Sequence, residues 1–126
     1  MHRSRVAGFI IDCRNADLES AATFWSGVLG MEKRALPGSE GEKYVRLMDP
    51  GDRLDVEVQL VDHESRVHID IETDDVEAEV LRLEKLGAKR VLKLHSWWVM
   101  QAPTGHRFCV VRSRGSDFAT NSNTWD

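Results

Sequence analysis

The chain has 126 residues and a mass of 14.3 kDa, enough for one ordinary domain or two half-domains around a shared core, and too little for a multidomain assembly. Hydrophobic residues make up 41% and charged residues 30%, with 9 Gly and 3 Pro, which excludes collagen-like, low-complexity and wholly disordered chains. With 17 Lys and Arg against 21 Asp and Glu the net charge is −4, so no surplus of positive charge is available to neutralise a nucleic-acid backbone.

No apolar run approaches the roughly 20 residues that cross a bilayer, and no apolar stretch of a secretory leader follows Met1-His2-Arg3-Ser4-Arg5. Cys13 and Cys109 each sit in an apolar, strand-like run, the place of a small buried thiol rather than of a disulfide. The expectation is a cytoplasmic protein with neither nucleic acid nor membrane as partner.

In chain order, Val6 to Cys13 is rich in β-branched and aromatic residues and reads as a strand closing in the polar turn Arg14-Asn15-Ala16-Asp17. Asp17 is placed to cap a helix, because its carboxylate accepts the unpaired N–H groups of a first turn. Leu18, Ala21, Ala22, Trp25 and Val28 then recur at helical spacing up to Gly30. Phe24 and Trp25 are assigned to the core side of this helix. Lys43 to Met48 predicts a strand and Asp49-Pro50-Gly51-Asp52 a turn. Beyond it, Leu54, Val56, Val58 and Leu60 alternate with Asp55, Glu57 and Gln59, giving a strand with one apolar and one polar face.

The second half repeats this order. Arg66 to Ile71 predicts a strand, Thr73-Asp74-Asp75 a cap, and Val76, Val80, Leu83 and Leu86 a helix stopped by Gly87. Val91 to Leu94, Trp97 to Gln101 and Phe108 to Arg112 predict three further strands, the last two joined by the Ala102-Pro103-Thr104-Gly105 turn. The halves also align: Phe9-Ile10-Ile11-Asp12 lies over Val67-His68-Ile69-Asp70, and Asp17-Leu18-Glu19 over Asp75-Val76-Glu77. The fold class expected is α+β, with two βαβββ repeats pairing as curved mixed sheets around a shared cleft and helices outside. One domain then spans 1–126, with repeats at about 6–62 and 66–113 and a tail at 114–126. A single repeat cannot bury both faces of its sheet, so two must pack together, and their polar inner faces make the cleft the default ligand site.

These residues resemble the vicinal oxygen chelate superfamily of glyoxalase I, bleomycin-resistance proteins and extradiol dioxygenases, and within it the small glyoxalase-like domains. The carriers are Asp17-Leu18-Glu19, Phe24-Trp25, Val28-Leu29-Gly30-Met31, Arg66-Val67-His68-Ile69-Asp70, Leu86-Gly87-Ala88 and Ala102 to Cys109. In metal-dependent members of the superfamily the ion is held by two residues from each half, usually His and Glu. His68 takes the second-half histidine position. Its first-half equivalent is Ile10, which has no lone pair to donate. The closing acid of the second half falls on Cys109, and its first-half counterpart at about Asp55 or Glu57. The resemblance therefore implies an incomplete ligand set and no resident cofactor. A divalent metal remains an alternative, held if at all by His68 and Glu57; a thiol beside them suits Zn²⁺ better than Mg²⁺ or Mn²⁺.

Two functional readings stay open. In the first, an enzyme acts on a small oxygenated molecule, with His68 binding a metal or moving a proton and Glu57 as general base. In the second, a metal-free homodimer binds a small organic molecule, as bleomycin-resistance relatives do, with Asp12, Asp70, Gln59, Trp97 and Cys109 as ligand-binding positions. Each singled-out residue also has a structural alternative: His68 in a polar network with Asp70 or Gln59, and Asp12 and Asp70 paired with Arg14, Arg66 or Arg107. Trp97 and Trp98, adjacent on a strand, must face opposite sides; Trp98 is assigned to the apolar side with Met100 and Trp97 to the ligand side. In the tail, Phe118 and Trp125 are apolar groups that clamp onto the body or a second subunit.

Overall fold

The computed structural model describes residues 1–14 and 17–126; Asn15 and Ala16, in the turn expected after the first strand, lie outside the described residues. The element order is β1 (His2–Arg14), α1 (Leu18–Leu29), β2 (Glu32–Ala35), a short 3-10 helix (Gly38–Glu42), β3 (Tyr44–Met48) and β4 (Asp55–Val61), followed by β5 (Arg66–Thr73), α2 (Val76–Lys85), β6 (Lys89–Leu94), β7 (Trp97–Gln101), β8 (Arg107–Arg112) and β9 (Asn123–Trp125). The fold is α+β, and βαβββ occurs twice. Two compact units are formed, Gly8–His68 and Met1–Ala7 with Ile69–Asp126.

In the Gly8–His68 unit, β1 runs parallel to β4, β4 antiparallel to β3, and β3 antiparallel to β2. Asp17 caps α1 by accepting from the Ser20 N–H, and Gly30 ends it with φ 68°, a left-handed turn that costs glycine no steric strain. Ile11, Cys13, Leu47, Val56 and Val58 form a buried cluster against which Leu18, Ala21 and Trp25 of α1 pack. Strand alternation therefore sends the other residues of these strands, Ile10, Asp12, Glu57 and Gln59 among them, to the face away from the helix. Phe24 departs from expectation. It is 60% exposed and stands edge-on to Trp25, because only one flank of a single helix can meet the sheet. Strand β2, whose residues show no apolar alternation, pairs Glu32 to Ala35 with Val45 to Met48.

The second unit repeats the same wiring. β5 runs parallel to β8, β8 antiparallel to β7, and β7 antiparallel to β6. Asp75 caps α2 by accepting from the Ala78 N–H. Val80, Met100 and Val110 are buried beneath Val76, Leu83, Trp98 and Phe108. Trp98 is thus on the helix side, with Arg90 and Lys93 over its ring at 5.0 and 5.9 Å, and Trp97 is on the opposite face, as alternation requires. The tail folds back onto its own unit. β9 pairs with His2–Ser4 of β1, the Trp125 indole N–H donates to Ser4 Oγ at 2.8 Å, and Phe118 is buried.

Candidate functional site

The Gly8–His68 unit holds a concentrated polar group at the end of β1. Asp12 is 2% exposed, and its Oδ2 lies 2.8 Å from His68 Nδ1. A carboxylate oxygen accepts, so His68 donates from Nδ1 to Asp12 Oδ2. His63 Nε2 and Arg66 Nε each lie 3.9 Å from the same Asp12 oxygen. Three nitrogen-bearing side chains around one buried carboxylate compensate its desolvation, which explains how an acid is tolerated there. The other oxygen, Asp12 Oδ1, is buried and has no hydrogen-bond partner among the described residues.

Local folding accounts for the assembly. Alternation along β1 points Ile11 and Cys13 at α1 and Asp12 away from it. The loop after β4 returns the chain through His63, Glu64 and Ser65, with the Ser65 hydroxyl accepting from the Arg14 N–H at 3.0 Å. A cavity of about 270 Å³ opens there, lined by Ile11, Asp12 and Cys13 of β1, Trp25 of α1, and Ser65, Arg66 and Val67. It combines one aromatic wall, one buried acid and one arginine. Burial, the negative charge of Asp12 and, in the opposite sense, a hydrogen bond from Trp25 act on the Cys13 thiol and leave its pKa above the ordinary value, so it stays a neutral thiol at pH 7.

The other sequence-derived positions are distributed as follows. Glu57 stands opposite Ile10 in the β1–β4 register, with Arg46 across from it on β3. Gln59 stands opposite Asp12 and donates from Nε2 to Tyr44 Oη at 2.7 Å. In the second unit Asp70 stands opposite Cys109. The two registers therefore set Cys109 over Gln59, whereas the aligned first-half position was expected at Asp55 or Glu57. Trp97 borders a different cavity, in the second unit. The histidine network anticipated with Asp70 or Gln59 includes Asp12, and of the arginines considered for Asp12 it is Arg66 that approaches it. His63, Ser65 and Trp25 were not assigned to the site from sequence. The one signal for His63 was a second histidine in the polar loop five residues before His68.

The donor set departs from the His and Glu ligands that the resemblance implies for a divalent metal. Ile10 is 5% exposed and offers no lone pair where the first ligand would be. His68 and Asp70, two apart on β5, and Cys109, opposite Asp70 on β8, supply one imidazole, one carboxylate and one thiol. That is a set zinc accepts, and a poor match to the all-oxygen or histidine–glutamate shells of manganese and magnesium. Neither cysteine is in a disulfide. Among the described residues no helix is long and apolar enough to cross a membrane.

Comparison with known proteins agrees with this architecture. A superfamily member of the glyoxalase/bleomycin resistance protein/dioxygenase type from Vibrio splendidus 12B01 superposes with a TM-score of 0.59 at 21% identity, over 87% of this chain and 99% of its own. Methylmalonyl-CoA epimerase from Mycobacterium tuberculosis gives 0.62 at 16% identity, over 90% and 93%. The Mn(II)-bound glyoxalase from Novosphingobium aromaticivorans gives 0.61 at 17% identity, over 89% of this chain and 40% of its own. At such identities the likeness is one of fold. No curated protein sequence matches the chain significantly. The family model of the glyoxalase-like domain matches residues 8–111, which takes in β1 from the glycine facing Asp55 through most of β8. The twofold βαβββ wiring and this match together mean that the chain belongs to the glyoxalase-like domain family.

Proposed function

We propose that the chain is a glyoxalase-like protein that binds a small organic molecule, with its ligand held at the Asp12–His68 pair, and that its metal-ligand set is too incomplete for ordinary glyoxalase I chemistry. The observation that carries this reading is the buried Asp12, a residue that lines the cavity: one oxygen orients His68, and the other is buried without a hydrogen-bond partner among the described residues. A ligand N–H or O–H donated to Oδ1 would complete its hydrogen bonding. Arg66 adds positive potential, which favours a ligand that carries an acceptor beside its donor. A thermal-shift screen of metabolites and antibiotics tests it. A hit should raise the melting temperature of the native chain and lose most of its shift in Asp12→Asn and His68→Ala, since a ligand specific to the folded state stabilises only where it binds. Hits that shift both variants as strongly as the parent refute the placement.

A second reading keeps catalysis: a metal-dependent lyase, isomerase or dioxygenase-like enzyme using His68 with Glu57. What favours it is the His68, Asp70 and Cys109 donor group together with a fold shared with a Mn(II)-bound glyoxalase. Elemental analysis of protein purified without chelator separates the readings. Stoichiometric metal that disappears in His68→Ala supports the second; metal-free protein from metal-replete medium supports the first.

Homodimer formation and a cytoplasmic location belong to the same proposal. Two free thiols suit a reducing compartment. The tail aromatics do not argue for a second subunit, because Phe118 and Trp125 are engaged within their own unit. Support for a dimer comes instead from Val91, Leu92 and Leu94, exposed on β6, the last strand of its sheet. Light scattering on the purified chain decides it.

A further inference from the structure

Asp12 carries an imbalance that a neighbour in its own unit is placed to correct. Its Oδ2 is held by His68 at 2.8 Å, while Oδ1 is buried and has no hydrogen-bond partner among the described residues. A buried carboxylate oxygen left in this way costs stability, so its persistence in a folded chain has a cause. That cause is not a shortage of donors. Gln59 stands opposite Asp12 in the β1–β4 register, and Tyr44 stands opposite Gln59 in the β3–β4 register, so the three make one row across three strands of the Gly8–His68 unit. Ile11, Leu47, Val56 and Val58 pack on the α1 side. Alternation therefore puts Asp12, Gln59 and Tyr44 together on the face away from the helix. Neighbouring strands lie about 4.8 Å apart, a span that a glutamine amide covers.

The Gln59 amide is turned the other way. Its Nε2 donates to Tyr44 Oη at 2.7 Å, leaving Asp12 Oδ1 without it. A hydrogen bond to an ionised acceptor is roughly twice as strong as one to a neutral hydroxyl, so of its two neighbours in the row the amide would gain more from Asp12. The phenol hydroxyl on β3 is the competing acceptor that draws it across β4 to the opposite side. The row thus holds a donor and a needy acceptor side by side and keeps them apart, the kind of local conflict that a folded chain retains at a binding site rather than in its scaffold.

We infer that Tyr44 is a positioning residue of the Asp12–His68 site: it holds the Gln59 amide off Asp12 and so reserves Oδ1 for the donor of a bound ligand, a role that rests on the ligand contact proposed above. Without the Tyr44 hydroxyl the amide swings to Asp12, and the site closes on itself.

The test reads the Gln59 side-chain NH₂ group by ¹⁵N NMR of the full chain without any ligand, its peaks assigned as the pair that vanishes in Gln59→Met. In the parent these protons should show nuclear Overhauser contacts to the Tyr44 ring. In Tyr44→Phe, which keeps the ring, the donated proton should move downfield as it reaches a charged acceptor, and at least about half of that displacement should be lost in Tyr44→Phe/Asp12→Asn. Melting temperature adds a readout of opposite sign to a merely structural role. Loss of a hydrogen-bonding hydroxyl ordinarily lowers it by about 4 °C in a chain of this size. Here Tyr44→Phe should melt at or above the parent, because Oδ1 gains a partner, while the same change made on Asp12→Asn should lower the melting temperature. No Overhauser contact in the parent, a Gln59 peak in Tyr44→Phe that stays in place or moves to the position of a solvent-exposed amide, or an equal drop in melting temperature with Asp12 and with Asn at that position would each overturn the inference. The two readings fail separately: a swing of Gln59 with no hit in the ligand screen refutes the ligand contact alone, and hits lost in Asp12→Asn without a swing refute the role of Tyr44 alone.

Discussion

Asp12 and Glu79 show how a buried carboxylate serves two ends. Glu79 of α2 is fully buried, yet His2 Nε2 lies 2.8 Å from one of its oxygens and Arg82 donates to both. Burial works to raise its pKa, but hydrogen bonds from Arg82, His2 and Ser4 prevail and hold the carboxyl below its ordinary value of 4.5. A depressed folded-state pKa means stability present above pH 4.5 and lost as pH falls through the folded value. Glu79→Gln should therefore lower stability by about 2–4 kcal/mol at pH 7 by stranding Arg82, and should flatten the acid limb of a denaturation series. An unchanged limb would show that other carboxylates control it. Asp12, by contrast, keeps one oxygen without a hydrogen-bond partner among the described residues, which is why it is placed in a site and Glu79 in the scaffold. Cys13, with its raised pKa, should react with iodoacetamide at pH 8 more slowly than a free model thiol, read by mass spectrometry; full-rate labelling would contradict the burial argument.

At the scale of elements, the caps and glycines carry sequence information that the structure uses directly. Asp17→Ala removes the acceptor for Ser20 and should cost about 1 kcal/mol, seen as a lower denaturation midpoint with unchanged slope. Gly8 has a harsher requirement. A methyl group there would meet the Asp55 carbonyl oxygen at 1.8 Å, so Gly8→Ala cannot be accommodated without separating β1 from β4. We expect a loss of at least about 3 kcal/mol or failure to fold, since a backbone clash has no flexible side chain to yield. Gly87 is constrained as well, with φ 110° and Pro103 Cγ 2.9 Å from the added carbon. Both helices, their caps and most strands were legible because their signals are local: a carboxylate before an apolar repeat, a glycine after it, alternation between. β2 was not, because Glu32-Lys33-Arg34-Ala35 has no apolar alternation. It is a strand because Val45 to Met48 pairs with it, and because Lys33 reaches Glu19 and Thr23 of α1.

For the whole molecule, the repeat is the organising feature. Both copies run their strands in the same order and sense, which follows from one constant sequence offset between Ile10-Ile11-Asp12 and His68-Ile69-Asp70. The tail completes the second unit: Arg5 bridges Glu72 and Asp117, lies 5.3 Å from the Phe118 ring centre, and Arg82 stacks 3.8 Å from that of Trp125. Phe118→Ala should cost about 3–5 kcal/mol, the price of an emptied aromatic site; a melting temperature within a degree of the parent would mean that the tail is dispensable. Duplication, helix limits and the faces of Trp97 and Trp98 were determined by the sequence alone, since periodicity along a chain sets which side a residue takes. Only the tertiary structure decided that His68 pairs with Asp12, that His63 and Arg66 gather on the same oxygen, and that Cys109 faces Asp70. Those are contacts between segments far apart in sequence or joined by irregular loops, where neither period nor propensity says which side chains meet.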